Sequence, residues 1–175
     1  MSPDAGGAGG GVDPVRVVFV CWGNICRSPM AERVAERMAA DEGLQDVVFT
    51  SAGTSSEELG EPIDPRARRT LAEHGYRTEG HRAHQMDADE LAGADLVVAM
   101  EQLHVDRLAR LGRGREVRLL SDFDPDAGPG SGVPDPWYGG QDGFVDTLSM
   151  IESAMPGVLE RVRELQAART ADQPG

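Results

Sequence analysis

Residues 15–34 read VRVVFVCWGNICRSPMAERV, and this stretch decides the fold. Its first six residues are almost all apolar and rich in β-branched side chains, which indicates a buried strand. A turn-like segment follows. From Ser28 onward large apolar side chains recur every four residues, which predicts a helix that stops at Gly43. A strand, a loop and a helix in this order open a βαβ unit.

The same alternation of strand and helix continues along the chain. Further strands are predicted at residues 47–50, 96–100 and 117–120. Helices are predicted to begin at Asp64, Asp87 and Leu103. The last helix, from Phe144 to Val162, contains Pro156, which should kink or split it. The pattern predicts a three-layer α/β fold with helices on both faces of a four-stranded parallel sheet.

The length and charge of the chain limit the function classes it can serve. A length of 175 residues supports one core, so we expect a single domain over residues 14–167. A flexible Gly-rich arm at 1–13 should precede it, and a polar tail at 168–175 should follow it. With 17 basic and 30 acidic residues, the net charge of -13 argues against a nucleic-acid partner and against an anionic membrane surface.

Targeting and metal-binding patterns are also missing from the sequence. No segment has the roughly 18 apolar residues of a membrane-spanning helix, and the first residues lack the basic-then-apolar order of a signal peptide. A cytoplasmic protein is therefore expected. The two cysteines and four histidines show no metal-ligand spacing, so we expect no metal and no cofactor. We expect His74, His84 and His104 to be solvated.

The loop from Cys21 to Pro29 follows the first strand, at the sheet edge where ligands bind in folds of this class. A loop that enters a helix N-terminus presents unpaired backbone N–H groups and the positive end of the helix dipole to an anion. Gly23 lets the backbone approach a ligand, and Arg27 adds a planar fork of donors for two phosphate oxygens. The loop between the first strand and the first helix is therefore predicted to bind phosphate.

Cys21 stands at the base of this predicted phosphate loop. The positive field there favours the thiolate, which is the nucleophilic form of cysteine. The Ser28 hydroxyl can donate a hydrogen bond to the sulfur and stabilise it further. These residues predict a cysteine nucleophile poised against a bound phosphate.

Two segments together resemble a known family. The first is CWGNICRSPMAE at residues 21–32, and the second is DPWYG at residues 135–139, at the end of a long Asp-, Gly- and Pro-rich loop. Both resemble the low-molecular-weight protein tyrosine phosphatases, and the resemblance covers Val15 to Arg163. It implies the four-stranded parallel sheet, no metal, and a phosphotyrosine-containing protein as substrate. Hydrolysis would pass through a phosphocysteine intermediate and release inorganic phosphate.

The resemblance assigns the catalytic roles to three residues. Cys21 attacks phosphorus and splits one difficult step into two. Arg27 and the backbone amides of residues 22–27 stabilise the charge on the transferred phosphoryl group. Asp135 protonates the leaving phenolate and then, as a carboxylate, activates water. Asp135 is far from Cys21 in sequence, but the two are expected to meet over the phosphate.

Supporting residues follow from the same resemblance. Asn24 is expected to hold the loop in a strained shape, with Ser51 and His81 as its partners. Trp137 and Tyr138 are expected to form an aromatic wall against the substrate ring, which makes the pocket deep enough to prefer phosphotyrosine over phosphoserine.

The substrate pocket departs from the family pattern. Glu57 and Glu58 lie where members commonly have an aromatic residue, and they would either repel the phosphate dianion or attract a basic peptide. Trp22 replaces what is often a smaller residue. The segment from Tyr76 to His81 is one residue longer than usual.

Cys26 has two interpretations. It either packs beneath the phosphate loop, or it forms a reversible disulfide with Cys21 that protects the nucleophile from over-oxidation. We favour the disulfide, because the resembling loop brings the two cysteines close together.

Three other functions compete with a tyrosine phosphatase. Arsenate reductase shares the fold and the loop by resemblance, but its chemistry needs further cysteines and none follows Cys26. A protein arginine phosphatase is the closer alternative; related ones carry threonine where this chain has Ile25, so Ile25 favours phosphotyrosine. A catalytically silent regulatory module would bind phosphate without turnover.

Overall fold

The four strands form one parallel sheet in the order β2-β1-β3-β4. The computed structural model describes residues 13–171. The strands are β1 Val15–Cys21, β2 Val47–Gly53, β3 Leu96–Ala99 and β4 Val117–Leu119. The predicted fold class is confirmed. The arm predicted at 1–13 lies, except for Asp13, outside the described residues.

Five α-helices alternate with the strands. They are α1 Arg27–Asp41, α2 Pro65–Glu73, α3 Ala88–Gly93, α4 Gln102–Leu111 and α5 Gln141–Ala171. Two of them begin at the predicted caps, because Asp64 accepts a hydrogen bond from the backbone N–H of Arg66 and Asp87 from that of Glu90, each at 2.8 Å. Between residues 13 and 171, no helix is both long and apolar enough to cross a bilayer.

The helices cover both faces of β1, which lies in the middle of the sheet. Val17 and Phe19 point toward the layer of α1, α2 and α5, whereas Val18 and Val20 point toward α3 and α4. Phe19 stacks on Phe49 of β2 with ring centroids 6.2 Å apart. β1 is buried on both faces and lies between β2 and β3. The loop after Cys21 therefore begins at the carboxyl end of a central strand, where ligands bind in folds of this class.

Helix α5 decides one of the two effects expected of Pro156. The proline does not split the helix, because α5 runs unbroken from Gln141 to Ala171. The proline is exposed, while Met155 and Val158 on either side are fully buried. Packing of these apolar neighbours offsets the backbone hydrogen bond that proline cannot donate.

The polar tail expected from Ala168 is helical as far as Ala171. Arg169 explains the extra turn. Its guanidinium lies 2.7 Å from a carboxylate oxygen of Asp95 and donates a 2.5 Å hydrogen bond to the carbonyl of Asp13. These contacts hold the end of α5 against the starts of β1 and β3.

Candidate active site

Cys21 ends β1, and its side chain is buried, with 3% of its surface exposed. The sulfur lies 3.1 Å from the Oγ of Ser28, and the backbone N–H of Ser28 points at it from 3.4 Å. Both contacts come from the first turn of α1, where N–H groups lack partners within the helix. Ser28 therefore places its hydroxyl and its backbone N–H against the sulfur, where a nucleophilic cysteine needs hydrogen-bonding groups.

The loop of residues 22–26 bends over the sulfur around Asn24, which has a positive φ of 62°. Among the described residues, no acceptor is found for the backbone N–H groups of Gly23, Asn24, Ile25 and Cys26. Free amides at the start of a helix are the donors that an anion needs. Gly23 belongs to this loop, and a Cβ there would lie 3.2 Å from Cγ of Glu58.

The side chain of Asn24 is fully buried and holds two hydroxyls. Its Nδ2 donates to Oγ of Ser28 at 2.8 Å and to Oγ of Ser51 at 3.0 Å. Since Ser28 accepts from Asn24, its own hydrogen is free to point at the sulfur of Cys21. Ser51 in turn donates to Glu32 at 2.7 Å. Burial raises the pKa of Glu32. The two hydrogen bonds that Nδ2 of Asn24 donates orient the hydroxyls of Ser28 and Ser51.

Two histidines hold Asn24 from the segment after α2. The Nε2 of His81 lies 2.6 Å from the Asn24 carbonyl, and the backbone N–H of His84 donates to Oδ1 of Asn24 at 3.0 Å. Burial lowers the pKa of His81, so the neutral ring donates through Nε2–H. The structure therefore brings Asn24, Ser51 and His81 together.

Arg27 is buried, with 2% of its surface exposed, and its guanidinium has two hydrogen-bond acceptors and one more distant carboxylate. Nη1 donates to Oε1 of Glu101 at 2.5 Å and to the carbonyl of Val133 at 2.9 Å. Nη2 lies 3.6 Å from Oδ2 of Asp135. One half of the guanidinium is thus fixed by the fold, and the other half faces the residue expected to act as the acid.

Asp135 reaches the phosphate loop at the end of the long connection after β4. The connection is tied down where Val133 donates to the carbonyl of Met100 at 2.8 Å and accepts from Arg27. Asp135 then begins a short 3-10 turn, and its Oδ1 accepts the backbone N–H of Trp137 at 3.0 Å. Its side chain is 39% exposed, so the carboxyl can reach both the pocket and water.

These residues open onto one cavity of about 180 Å³. It is lined by Cys21, Trp22, Gly23, Ile25, Cys26, Arg27, Glu57, Glu58, Asp135, Trp137 and Tyr138. The nucleophile and the arginine lie on the phosphate-loop side, and the carboxylic acid and the aromatic residues come from the long connection. A cavity with an anion site at its base and aromatic side chains at its mouth can take an aryl phosphate.

The side chains that line the cavity differ in how firmly neighbouring residues hold them. Trp22 is held on one side by Arg107, whose guanidinium carbon lies 4.4 Å from the ring centroid, and its Nε1 donates to Glu57 at 3.1 Å. Trp137 is 41% exposed, and Tyr138 is 91% exposed. Glu57 is therefore oriented by Trp22, whereas Tyr138 is free to move against a substrate.

Cys26 is buried beneath the loop, and both cysteines are free thiols. Burial, together with the negative charge of Asp64, raises the pKa of the Cys26 thiol. Its thiol form is favoured at neutral pH, which opposes attack on an oxidised Cys21. The disulfide between the two cysteines stays a prediction.

Glu101 and His104 are parts of the site that sequence reasoning missed. Glu101 caps α4, and its own N–H donates to Nδ1 of His104 at 3.1 Å. His104 is fully buried, so its expected exposure is wrong. Burial, with Arg27 and Arg107 nearby, lowers its pKa to about 3. The sequence did hold one indication for Glu101: it follows the predicted strand β3, whose carboxyl end lies at the same edge of the parallel sheet as Cys21.

Gly53, at the end of β2, was missed as well. A Cβ at this position would lie 2.8 Å from the carbonyl oxygen of Trp22. Only glycine allows β2 to approach the phosphate loop so closely. The other two histidines expected in solvent, His74 and His84, are exposed.

Comparisons with known proteins converge on one family. The family model described as low molecular weight phosphotyrosine protein phosphatase matches residues 16–168. A low molecular weight protein-tyrosine-phosphatase of Streptomyces coelicolor is 46% identical over 162 residues, which are 89% of this chain and 98% of that protein. Low molecular weight protein-tyrosine phosphatase A of Mycobacterium tuberculosis is 45% identical over 155 residues, 87% of this chain and 94% of that protein. A crystal structure of a protein tyrosine phosphatase from Entamoeba histolytica matches with a TM-score of 0.81 and 28% identity, covering 87% of this chain and 99% of that chain.

Proposed function

Since the chain belongs to the low-molecular-weight phosphotyrosine protein phosphatase family, we propose that it hydrolyses phosphotyrosine in proteins through a phosphocysteine at Cys21. The observation that carries the proposal is the convergence of Cys21, Arg27 and Asp135 on one cavity. A nucleophile, an anion clamp and a proton donor around one phosphate-sized space are the groups that phosphate-ester hydrolysis requires.

In the first step, the thiolate of Cys21 attacks phosphorus opposite the phenolic oxygen. The S–P bond forms, the P–O bond breaks, and Asp135 gives its proton to the departing phenolate, which leaves as tyrosine. The free amides of the phosphate loop and Nη2 of Arg27 receive the equatorial oxygens as their charge grows. Ser28 donates to the sulfur throughout.

In the second step, water attacks the phosphocysteine. Asp135, now a carboxylate, takes the proton from water, and the S–P bond breaks. Inorganic phosphate leaves, and the Cys21 thiolate is restored. Ser28 and the first-turn N–H stabilise sulfur as the leaving group. Both steps depend on the reach of Asp135 across the cavity mouth.

The test is a steady-state assay with phosphotyrosine, phosphoserine and phosphoarginine peptides without added metal. We expect phosphotyrosine to be preferred, because Trp22, Trp137 and Tyr138 line the cavity and Ile25 offers no hydroxyl to a phosphoguanidinium group. Preference for phosphoarginine would instead support an arginine phosphatase. Phosphate binding without turnover would support a silent regulatory module.

Substitutions test the roles of the residues. Cys21→Ser should abolish turnover but keep phosphate binding, and acid-quenched wild type should carry phosphate on Cys21. Asp135→Asn should lower turnover by about 10²- to 10⁴-fold, as the loss of a general acid does. Asp126→Asn is the matched control, because Asp126 lies in the same connection and is exposed. Equal rates for Asp135→Asn and Asp126→Asn would overturn the assignment of Asp135.

A further inference from the structure

Arg66, in the first turn of α2, forms a bidentate pair with Asp64. Its Nε lies 3.1 Å from Oδ1, and its Nη2 lies 3.2 Å from Oδ2. Asp64 is 7% exposed and donates its backbone N–H to the carbonyl of Ile25 at 2.9 Å. A bidentate arginine–carboxylate pair has a fixed geometry, so Arg66 is anchored to the phosphate loop through Asp64.

The other side of the same guanidinium holds Trp137. Nη1 donates to the Trp137 carbonyl at 2.9 Å. The guanidinium carbon lies 4.9 Å from the ring centroid of Trp137 and 4.7 Å from that of Phe144 in α5. The planar group is therefore packed against two aromatic rings while it is hydrogen-bonded to the backbone of one of them.

Trp137 passes this constraint to Asp135, because its backbone N–H donates to Oδ1 of Asp135 at 3.0 Å. In residues 13–171, Arg66 is the one side chain outside residues 134–140 that donates a hydrogen bond to the main chain of that segment. The segment otherwise has its own turn, the attachment of the preceding Val133 to Arg27 and Met100, and the more distant contact between Arg27 and the Asp135 carboxylate.

We infer that Arg66 is a positioning residue for the general acid. It fastens the segment that carries Asp135 to the phosphate loop, so that the carboxyl is aimed at the leaving oxygen. The inference rests on the function proposed above. Arg66 does not contact the reacting atoms; it acts through Trp137.

The test compares leaving groups. Tyrosine has a pKa near 10, so its phenolate needs a proton as it departs, whereas a much more acidic phenol leaves without one. In Arg66→Met, we expect kcat/KM for a phosphotyrosine peptide to fall about tenfold, and that for difluoromethylumbelliferyl phosphate to fall less than about twofold. A residue that only supports the fold would lower both values alike, and that result would overturn the inference.

A double variant tests whether Arg66 acts through Asp135. Once Asp135→Asn has removed the acid, adding Arg66→Met should cost nothing more in kcat/KM for the phosphotyrosine peptide. Multiplied losses would overturn the inference. Failure of the proposed function looks different, because then Asp135→Asn alone would leave the rate unchanged.

Arg69→Met is the matched control, since Arg69 lies on the same helix with a side chain that is 68% exposed and, within residues 13–171, has Glu73 as its one ion-pair partner. We expect wild-type rates from it. Arg66→Lys keeps the charge beside Asp64 but cannot also make the stacked, bidentate contact. It should show the same leaving-group dependence, and it carries the comparison if thermal unfolding shows that Arg66→Met is not folded. Equal losses for the two substrates in Arg66→Lys would count against the inference.

Discussion

Replacement of Asn24 separates backbone strain from hydrogen bonding in the phosphate loop. Asn24→Ala puts alanine at a φ of 62°, a left-handed conformation that costs roughly 1–2 kcal/mol. It also leaves the backbone N–H of His84 and two buried hydroxyls without the partner they have in the structure. Unsatisfied buried groups cost about 1–3 kcal/mol each. Each hydroxyl keeps one other partner, Glu32 for Ser51 and Cys21 for Ser28, and the His84 N–H is only partly buried. Each lost hydrogen bond therefore counts about 1 kcal/mol or less, and with the strain we expect a total loss of about 3–5 kcal/mol in the free energy of unfolding.

Asn24→Gly removes the strain but not the missing hydrogen bonds. It should be about 1 kcal/mol more stable than Asn24→Ala in urea unfolding. Both variants should lose about 10²-fold in kcat/KM, since the loop no longer places its amides. Asp46 is the control, because it also has a positive φ, 59°, and lies in the exposed turn before β2. Asp46→Ala and Asp46→Gly should show the same strain difference at full activity.

Asn24→Asp tests the orientation of the hydroxyls. An aspartate oxygen in place of Nδ2 accepts instead of donating, so Ser28 turns its hydrogen away from the sulfur of Cys21. The added negative charge also opposes the thiolate. Because Asn24 is fully buried, we expect the new carboxylate to lower the free energy of unfolding at neutral pH, and kcat/KM should fall because the sulfur loses a hydrogen-bond donor. An unchanged kcat/KM in Asn24→Asp, or equal stability of the alanine and glycine variants, would refute the reasoning.

Three further predictions follow from single contacts. Glu101→Ala should lower kcat/KM by about tenfold or more in steady-state assays, since it removes from Arg27 a charge-assisted hydrogen bond worth about 1.5–3 kcal/mol; Glu101→Gln should restore part of the rate, and no loss in the alanine variant would contradict the role. His104 has a folded-state pKa of about 3, below its unfolded value, so stability is lost as pH falls below about 6.5. Urea unfolding at pH 7 and pH 5 should show a loss of about 2 kcal/mol from this group, absent in His104→Asn. Pro156→Ala should stabilise the protein by about 1–2 kcal/mol in thermal unfolding. The alanine restores a backbone N–H donor to the helix, and this gain exceeds the unfolded-state entropy that the rigid proline removes. An unchanged or lower melting temperature would argue against it.

Local patterns predicted most of the fold because the deciding signals lie within a few residues of each other. β1 is apolar on both faces, and Asp64 and Asp87 begin helices through their own side chains. Helix α4 shows where such reasoning fails. The helix was predicted to begin at the apolar Leu103, yet Leu103 is 53% exposed, whereas His104, which was expected in solvent, is fully buried. The cap that His104 makes with Glu101 turns the helix so that the imidazole faces inward, and apolar spacing alone carries no sign of this.

The candidate site also has a part that sequence could predict and a part that only the fold shows. Residues from Cys21 to Ser28 are adjacent in sequence, and their chemistry is recognisable without a structure. Glu101 joins Arg27 across a separation of 74 residues, and no spacing rule links them. Partly buried charge pairs of this kind depend on tertiary contacts, so only the fold shows that Arg27 has a second carboxylate besides Asp135.

That second carboxylate changes how Arg27 can respond to substrate. Nη1 donates to Glu101 and to the carbonyl of Val133. A phosphate can therefore accept a hydrogen bond from Nη2 without breaking either of these contacts. Nη2 faces Asp135 across 3.6 Å, too far for a good hydrogen bond. A phosphate dianion offers this nitrogen a stronger partner than the exposed carboxylate does. Substrate binding should therefore separate Asp135 from Arg27 and leave its carboxyl free to face the leaving oxygen, while Glu101 keeps the guanidinium in place.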